Sequence, residues 1–235
     1  MSDYQYVGSE LALFSKAENW KQYFGAKLAP YIEGDVLEVG AGIGGTTPYL
    51  INSKVRQWTA MEPDAGLAAK LRDSISTLKR PSEVHVGTMH DLKEDCRFDT
   101  ILYIDVLEHI AADQSEVRRA SERLKPGGRL IVLSPAHPFL YSAFDKAVGH
   151  ERRYTRSTLS KLTPVGAELE RLFSLDALGT LLSLGNRLFL RQSVPNSSQV
   201  AFWDSRVVPI SRWIDPIIGF RLGRSIIAVW RKSDA

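Results

Sequence analysis

Short β-rich runs alternate with helical patterns from residue 35 to residue 133, and no other feature of this 235-residue chain restricts its fold as much. The runs fall at 35–39, 55–61, 83–86, 98–104 and 129–133, with helical periodicity over 46–52, 65–78 and 115–124. Repeated strand, helix, strand units require right-handed crossovers, which build a parallel sheet covered by helices on both faces. Upstream, Leu11, Phe14, Trp20, Phe24 and Leu28 recur at roughly helical spacing and predict one or two amphipathic helices over one flank.

Downstream of Ser134 the rhythm breaks. An aromatic and charged stretch at 135–154 precedes a short helix near Ser157, a strand near 169–175, a long apolar segment and a final strand, GRSIIAVWRK at 223–232. That last strand can pair antiparallel with the strand near Leu169. No Pro/Gly/Ser-rich linker divides the chain, so one domain is expected. Its parts are an N-terminal helical cap (1–33), a cofactor-binding core (34–134), a substrate loop and helical cover (135–222) and the last strand (223–235). With 44% hydrophobic and 24% charged residues, disorder and fibrous repeats are excluded. A formal charge of +3 gives no argument for nucleic acid. The lone Cys96 cannot form an internal disulfide, and the first ten residues lack the basic and apolar regions of a signal peptide, so a cytoplasmic location is expected.

LEVGAGIGG at 37–45 sets a glycine-rich turn directly after the first strand, where a missing Cβ lets the backbone approach a ligand closely. Its spacing departs from G-x-G-x-x-G because Gly44 intrudes beside Gly45. Glu38 suits a cationic ligand and would repel a dinucleotide pyrophosphate. Glu62 ends the second strand, where a carboxylate can accept hydrogen bonds from both ribose hydroxyls.

Five motifs in order, VLEVGAGIGG, MEPD, GTMHDL, FDTILYIDVLEHI and LKPGGRLIVLSP, resemble the class I S-adenosylmethionine-dependent methyltransferases, in their type 11/12-like branch. The resemblance covers nearly the whole chain. It implies a Rossmann-like, seven-stranded, mostly parallel α/β sheet with an antiparallel last strand, and a helix ending in Lys125-Pro126-Gly127-Gly128 before the fifth strand. The implied cofactor is S-adenosyl-L-methionine, released as S-adenosyl-L-homocysteine. Glu38 would sit near the methionine ammonium, Gly40 and Gly42 against the cofactor, and Glu62 with Pro63 at the ribose. Met89 and His90 would border the adenine, with Thr88 replacing an acid common in relatives, and Asp105 would lie near the methionine end.

Asp105, Glu108 and His109 share one face of a helical turn, a pattern able to hold a hard cation. Some relatives that methylate quinone precursors or small-RNA ends use a similar E-x-x-E-H run. Here Asp105 replaces the first Glu and no fourth ligand is evident, so no metal is expected.

Open α/β sheets bind ligands outside the carboxyl ends of their strands, which brings the loop after the fifth strand to the transferred group. It offers His137 and His150 as candidate bases and Tyr141, Arg152, Arg153 and Tyr154 as candidate substrate contacts, each with a competing structural role. The two arginines would match a carboxylate or phosphate. Leu181, Leu182, Leu188, Phe189, Trp203 and Trp213 belong to a helical cover over the cleft. Arg187, Arg191, Arg206, Arg212, Arg221 and Arg224 would rim it, leaving peripheral membrane contact and a homodimer open. The functional expectation is methyl transfer to an oxygen or nitrogen of a small-molecule, saccharide or lipid-linked acceptor. A non-catalytic methyltransferase-like partner subunit, an RNA methyltransferase and an NAD(P)-dependent oxidoreductase remain as rivals.

Overall fold

Consecutive strand residues are apolar because both faces of the sheet are covered. The computed structural model describes residues 10–78, 80–185 and 195–234. In it, Leu102, Ile131 and Val229 enter one hydrophobic cluster, while their strand neighbours Ile101, Val132 and Trp230 enter the other. Each such fully buried side chain contributes roughly 1.5–3 kcal/mol relative to an exposed one.

The strands are β1 (Gly34–Val39), β2 (Val55–Glu62), β3 (Ser82–Val86), β4 (Phe98–Ile104), β5 (Leu124–Pro135), β6 (Ala167–Leu175) and β7 (Ser225–Lys232). They form one sheet of order β3-β2-β1-β4-β5-β7-β6, in which β7 runs antiparallel to both neighbours. This is the Rossmann-like α/β architecture expected, and β6 pairs with β7 as anticipated. The order reverses between β1 and β4, so a cleft opens at their carboxyl ends.

Helices α1 (Glu10–Phe14) and α2 (Glu18–Leu28) flank the sheet, and Trp20, Phe24 and Leu28 bury one stripe of α2. Ala17 cannot cap α2, and the carboxylate of Asp204 does so from a distant part of the chain, accepting from Asn19 N (3.2 Å) and Trp20 N (2.9 Å). After β1 comes α3 (Thr47–Leu50), and after β2 comes α4 (Ala65–Ile75), capped by Asp64. Beyond β4 and β5 come α5 (Asp113–Glu122), α6 (Ala143–Ala147) and α7 (Arg156–Ser160). Between β6 and β7, helices α8 (Ala177–Gly185), α9 (Ser197–Phe202) and α10 (Val208–Ile217), with a π-helical turn at Trp203–Val207, form the cover.

One element differs from expectation. Helix α5 stops at Glu122 and β5 already runs through Lys125-Pro126-Gly127-Gly128. The register slips between the pairs Phe98–Leu124 and Thr100–Arg129, which bulges the strand, and Gly127 takes the φ of +72° that this requires. The bulge lets Lys125 Nζ reach Asp35 (2.7 Å) and Asp99 (2.8 Å). Arg187, Leu188, Phe189 and Arg191 lie outside the described residues. No described helix is long and apolar enough to cross a membrane.

Candidate active site

At the carboxyl ends of β1, β2 and β4 lies a cavity of about 1140 Å³. Gly40, Gly42 and Gly44 all have positive φ, which carries the turn after β1 along its wall. A Cβ on Gly40 would come within 2.7 Å of Val106, so alanine is excluded there by both conformation and contact. The turn is fastened to β2, with Ala41 N donating to Met61 O (2.9 Å) and Gly42 N to Glu62 Oε2 (2.8 Å). Glu62 Oε1 accepts from Asp64 N (3.0 Å). Glu62 is therefore a brace between the glycine turn and α4 as well as a cavity-lining carboxylate.

Glu38 also lines the cavity, and its Oε2 accepts from Thr47 Oγ1 (2.6 Å) and Trp58 Nε1 (3.1 Å). Burial pushes its carboxyl up to about 7 against those two bonds. Pro63, Met89 and His90 border the same space, and Asp91 fixes the adjacent turn by accepting from Thr88 N (2.7 Å) and Oγ1 (2.8 Å). Asp105, just past the end of β4, has φ +54° and is exposed to the cavity it lines. Desolvation by the surrounding cavity walls raises its carboxyl to about 6 against the attraction of His150, Arg224 and Arg153.

A second group comes from the loop after β5. Asp145 Oδ1 pairs with His150 Nδ1 (2.8 Å) and accepts from Arg153 Nε (2.8 Å), while its Oδ2 accepts from Ser142 N (2.8 Å) as the cap of α6. Burial would raise the Asp145 carboxyl, but the bonds from His150 and Arg153 overturn that and hold it at about 2. A carboxyl depressed from 3.8 to about 2 stabilises the fold above the unfolded value and loses that contribution as pH falls through this window. Asp145→Asn should therefore remove about 2 kcal/mol of acid-sensitive stability, read as a flatter stability curve between those pH values.

His150 Nε2 lies 3.9 Å from Glu108 Oε1, a fully buried oxygen with no hydrogen-bond partner, while Glu108 Oε2 accepts from Ser134 Oγ (2.9 Å). Burial, then Asp105, pushes the Glu108 carboxyl well above the usual carboxylate range. Burial, then His150, lowers His109 to about 4, so its imidazole is neutral at pH 7. Ligand atoms of Glu108, His109 and His150 lie within 4.8 Å of one another. His150 thus joins the pair read from the sequence, and Asp105 is not in the group.

Ten of the fourteen residues assigned from sequence line this cavity: Glu38, Gly40, Gly42, Glu62, Pro63, Met89, His90, Asp105, His150 and Arg153. The other four do not line it. Tyr154 is buried and donates to Asp113 Oδ2 (2.8 Å), and Arg152 pairs with the same carboxylate at 2.6 Å. Tyr141 donates to the His150 carbonyl (2.5 Å). His137 sits at φ +64° with Nε2 buried and unpartnered, stacked at 5.1 Å on Phe139.

Two cationic residues that line the cavity were not assigned to it from sequence. Lys21 on α2 is buried with Nζ beside the glycine turn, 3.7 Å from where a Gly45 Cβ would stand. Arg224, expected on an exposed rim, instead lines the cavity just before β7. The N-terminal tyrosine- and tryptophan-rich pattern marks α2 as core but carries no sign that Lys21 turns inward.

Residues 37–130 match a family model described as a methyltransferase domain. Solved structures of the same fold include an S-adenosylmethionine-dependent methyltransferase from Clostridium acetobutylicum, at 11% identity and TM-score 0.58 over 95% of this chain and 96% of that one. The N-methyltransferase NodS from Bradyrhizobium japonicum matches at 14% and 0.57 over 92% and 97%. The cyclase SpnF matches at 15% and 0.62 over 97% and 96%. Fold and match agree: this protein has the Rossmann-like methyltransferase fold, and residues 37–130 match the methyltransferase-domain model. The cyclase among these neighbours means that the fold alone does not fix the reaction.

Proposed function

We propose that the cavity binds S-adenosyl-L-methionine and that the protein transfers its methyl group to an oxygen or nitrogen of a second, acceptor molecule. The observation that carries this reading is the convergence of Glu38, the positive-φ glycine turn, Glu62 and Asp105 on one cavity. Its volume of about 1140 Å³ exceeds what one drug-sized ligand usually needs, leaving room for both reactants. The residues suit the cofactor: the glycine turn admits it closely, Glu38 and Asp105 are acids for its ammonium, Glu62 for its ribose, and Lys21 a cation for its carboxylate.

When bound, the cofactor supplies an electrophilic methyl on a sulfonium. The chain must then align an acceptor atom, exclude water and accept a proton. His150 is the base in this reading, in preference to His137. In the tautomer that donates Nδ1–H to Asp145, Nε2 keeps a lone pair, and His150 lines the cavity whereas His137 does not. Leu181, Leu182 and Phe202 are exposed where they line the cavity, which favours a lipid-linked or otherwise partly apolar acceptor. Trp213 (80% exposed) and Ile217 (84% exposed) on α10, with Arg212 beside Trp213 in sequence, would suit peripheral contact with a membrane carrying it.

The Glu38 carboxyl provides a test. As pH rises through about 7 it ionises, and a cationic amino group beside it is held more tightly. Calorimetric affinity for S-adenosyl-L-homocysteine should rise several-fold across that pH in the wild type and rise less in Glu38→Gln, where of the two acids assigned to the ammonium only Asp105, raised to about 6, still ionises. Equal profiles for the two proteins would remove Glu38 from the site.

A further inference from the structure

The two arginines that the sequence offers for an anionic substrate are already committed to carboxylates. Arg152 pairs with Asp113. Arg153 places Nε and Nη2 on Asp145 and Nη1 on the Ala136 carbonyl (3.3 Å).

Arg224 is different. Its backbone is clamped at both ends, N donating to Asp176 O (3.0 Å) and O accepting from Ala136 N (2.8 Å), so the side chain starts from a fixed point. The guanidinium lies 4.0 Å from the centre of the Trp203 ring, and Nε is 3.5 Å from Asp176 Oδ2. That carboxylate is divided among closer donors: Trp203 Nε1 (2.8 Å), Ser211 Oγ (2.7 Å) and Gly179 N (3.0 Å). Neither Nη of Arg224 has a hydrogen-bond partner among the described residues, and the residue lines the cavity. Burial lowers the Arg224 pKa more than Asp176 and Asp105 raise it, with Arg153 lowering it further, so this partly exposed cation is incompletely compensated.

Its position says which reactant would supply the missing charge. The cofactor-facing acids Glu38 and Glu62 stand on β1 and β2, whereas Arg224 precedes β7, beyond β5 in the sheet, and has only Asp105 of these acids among its charge partners. Lys21, on α2, is the cation beside the glycine turn.

We propose that Arg224 is an anion subsite for the acceptor, and that the acceptor carries a phosphate or carboxylate held in bidentate fashion by the two free Nη groups. Stacking on Trp203 fixes the plane of the fork, which is the geometry such oxyanions require. The inference rests on the reading of the cavity as a joint cofactor and acceptor site.

The test uses protein saturated with S-adenosyl-L-homocysteine, titrated calorimetrically with methyl phosphate and, separately, with acetate at constant ionic strength. Binding of at least one is expected, and the stronger of the two identifies the acceptor's anionic group. Arg224→Lys, which keeps the charge opposite Asp176 but loses the fork, should weaken that binding about tenfold. Arg152→Gln, which alters an arginine outside the cavity, should leave it unchanged. Melting temperatures of both variants separate loss of binding from loss of fold. Failure of both ions to bind, or equal affinity in folded Arg224→Lys, would overturn the subsite. Failure of S-adenosyl-L-homocysteine to bind in the first step would instead overturn the cofactor reading.

Discussion

Asp176→Ala lowers the unfolding free energy by about 3–5 kcal/mol, as read from urea denaturation at neutral pH. Asp176 is fully buried at the junction of β6, α8, the π-helical turn and α10. Its carboxylate accepts from Trp203, Ser211 and Gly179 and faces Arg224, so truncation leaves three donors and one partly exposed cation without their acceptor. Asp176→Asn keeps an acceptor oxygen and should lose less. In Asp176→Ala combined with Arg224→Met, removal of the stranded charge should restore part of the loss. A loss below about 1 kcal/mol for the single variant would mean that the cover is not held by this node.

The second large effect concerns the cofactor. Glu62→Ala should weaken S-adenosyl-L-homocysteine binding at least about tenfold, because a hydrogen bond to a charged group is worth roughly 1.5–3 kcal/mol. The structure adds a reason to expect the upper end: Glu62 also accepts from Gly42 N and Asp64 N, so its loss loosens the turn that the cofactor would lie against. Glu62→Gln retains one acceptor oxygen and should fall between wild type and alanine. Calorimetric affinity unchanged in Glu62→Ala, with an unaltered melting temperature, would refute the ribose contact.

Much of this site is legible in the sequence because parallel strands bring their carboxyl ends to one edge. Glu38, Glu62 and Asp105 stand at three such ends, so recognising β1, β2 and β4 already gathers them. The glycine turn is legible for the same reason, since no other residue type takes its run of positive φ without strain. The chain beyond β5 is far less legible, because its arrangement depends on packing between distant segments. His137 and His150 look equivalent in the chain, and only the folding of α6, which sets Asp145 against His150 Nδ1, distinguishes them. Adjacent residues also diverge: the bridge between Ala136 and Tyr154 turns Tyr154 inward to Asp113 while Arg153 faces the cavity. Arg224 reads as one of several surface arginines until β7 is known to pair with β5 and Trp203 to pack over it. Asp176, Asp204 and Asp215 interrupt apolar or amphipathic stretches for a related reason. They accept backbone or side-chain donors from elements far away in sequence, such as the Tyr23 hydroxyl on Asp215 (2.8 Å).

Parallel calorimetric titration with S-adenosyl-L-methionine, S-adenosyl-L-homocysteine and NAD, on protein stripped of carried-over ligand, decides the identity of the cofactor. Micromolar binding of both adenosyl compounds, with no heat from NAD, is the predicted result. Binding of NAD alone would overturn the S-adenosyl-L-methionine assignment, because Glu38 would then stand beside a pyrophosphate it should repel.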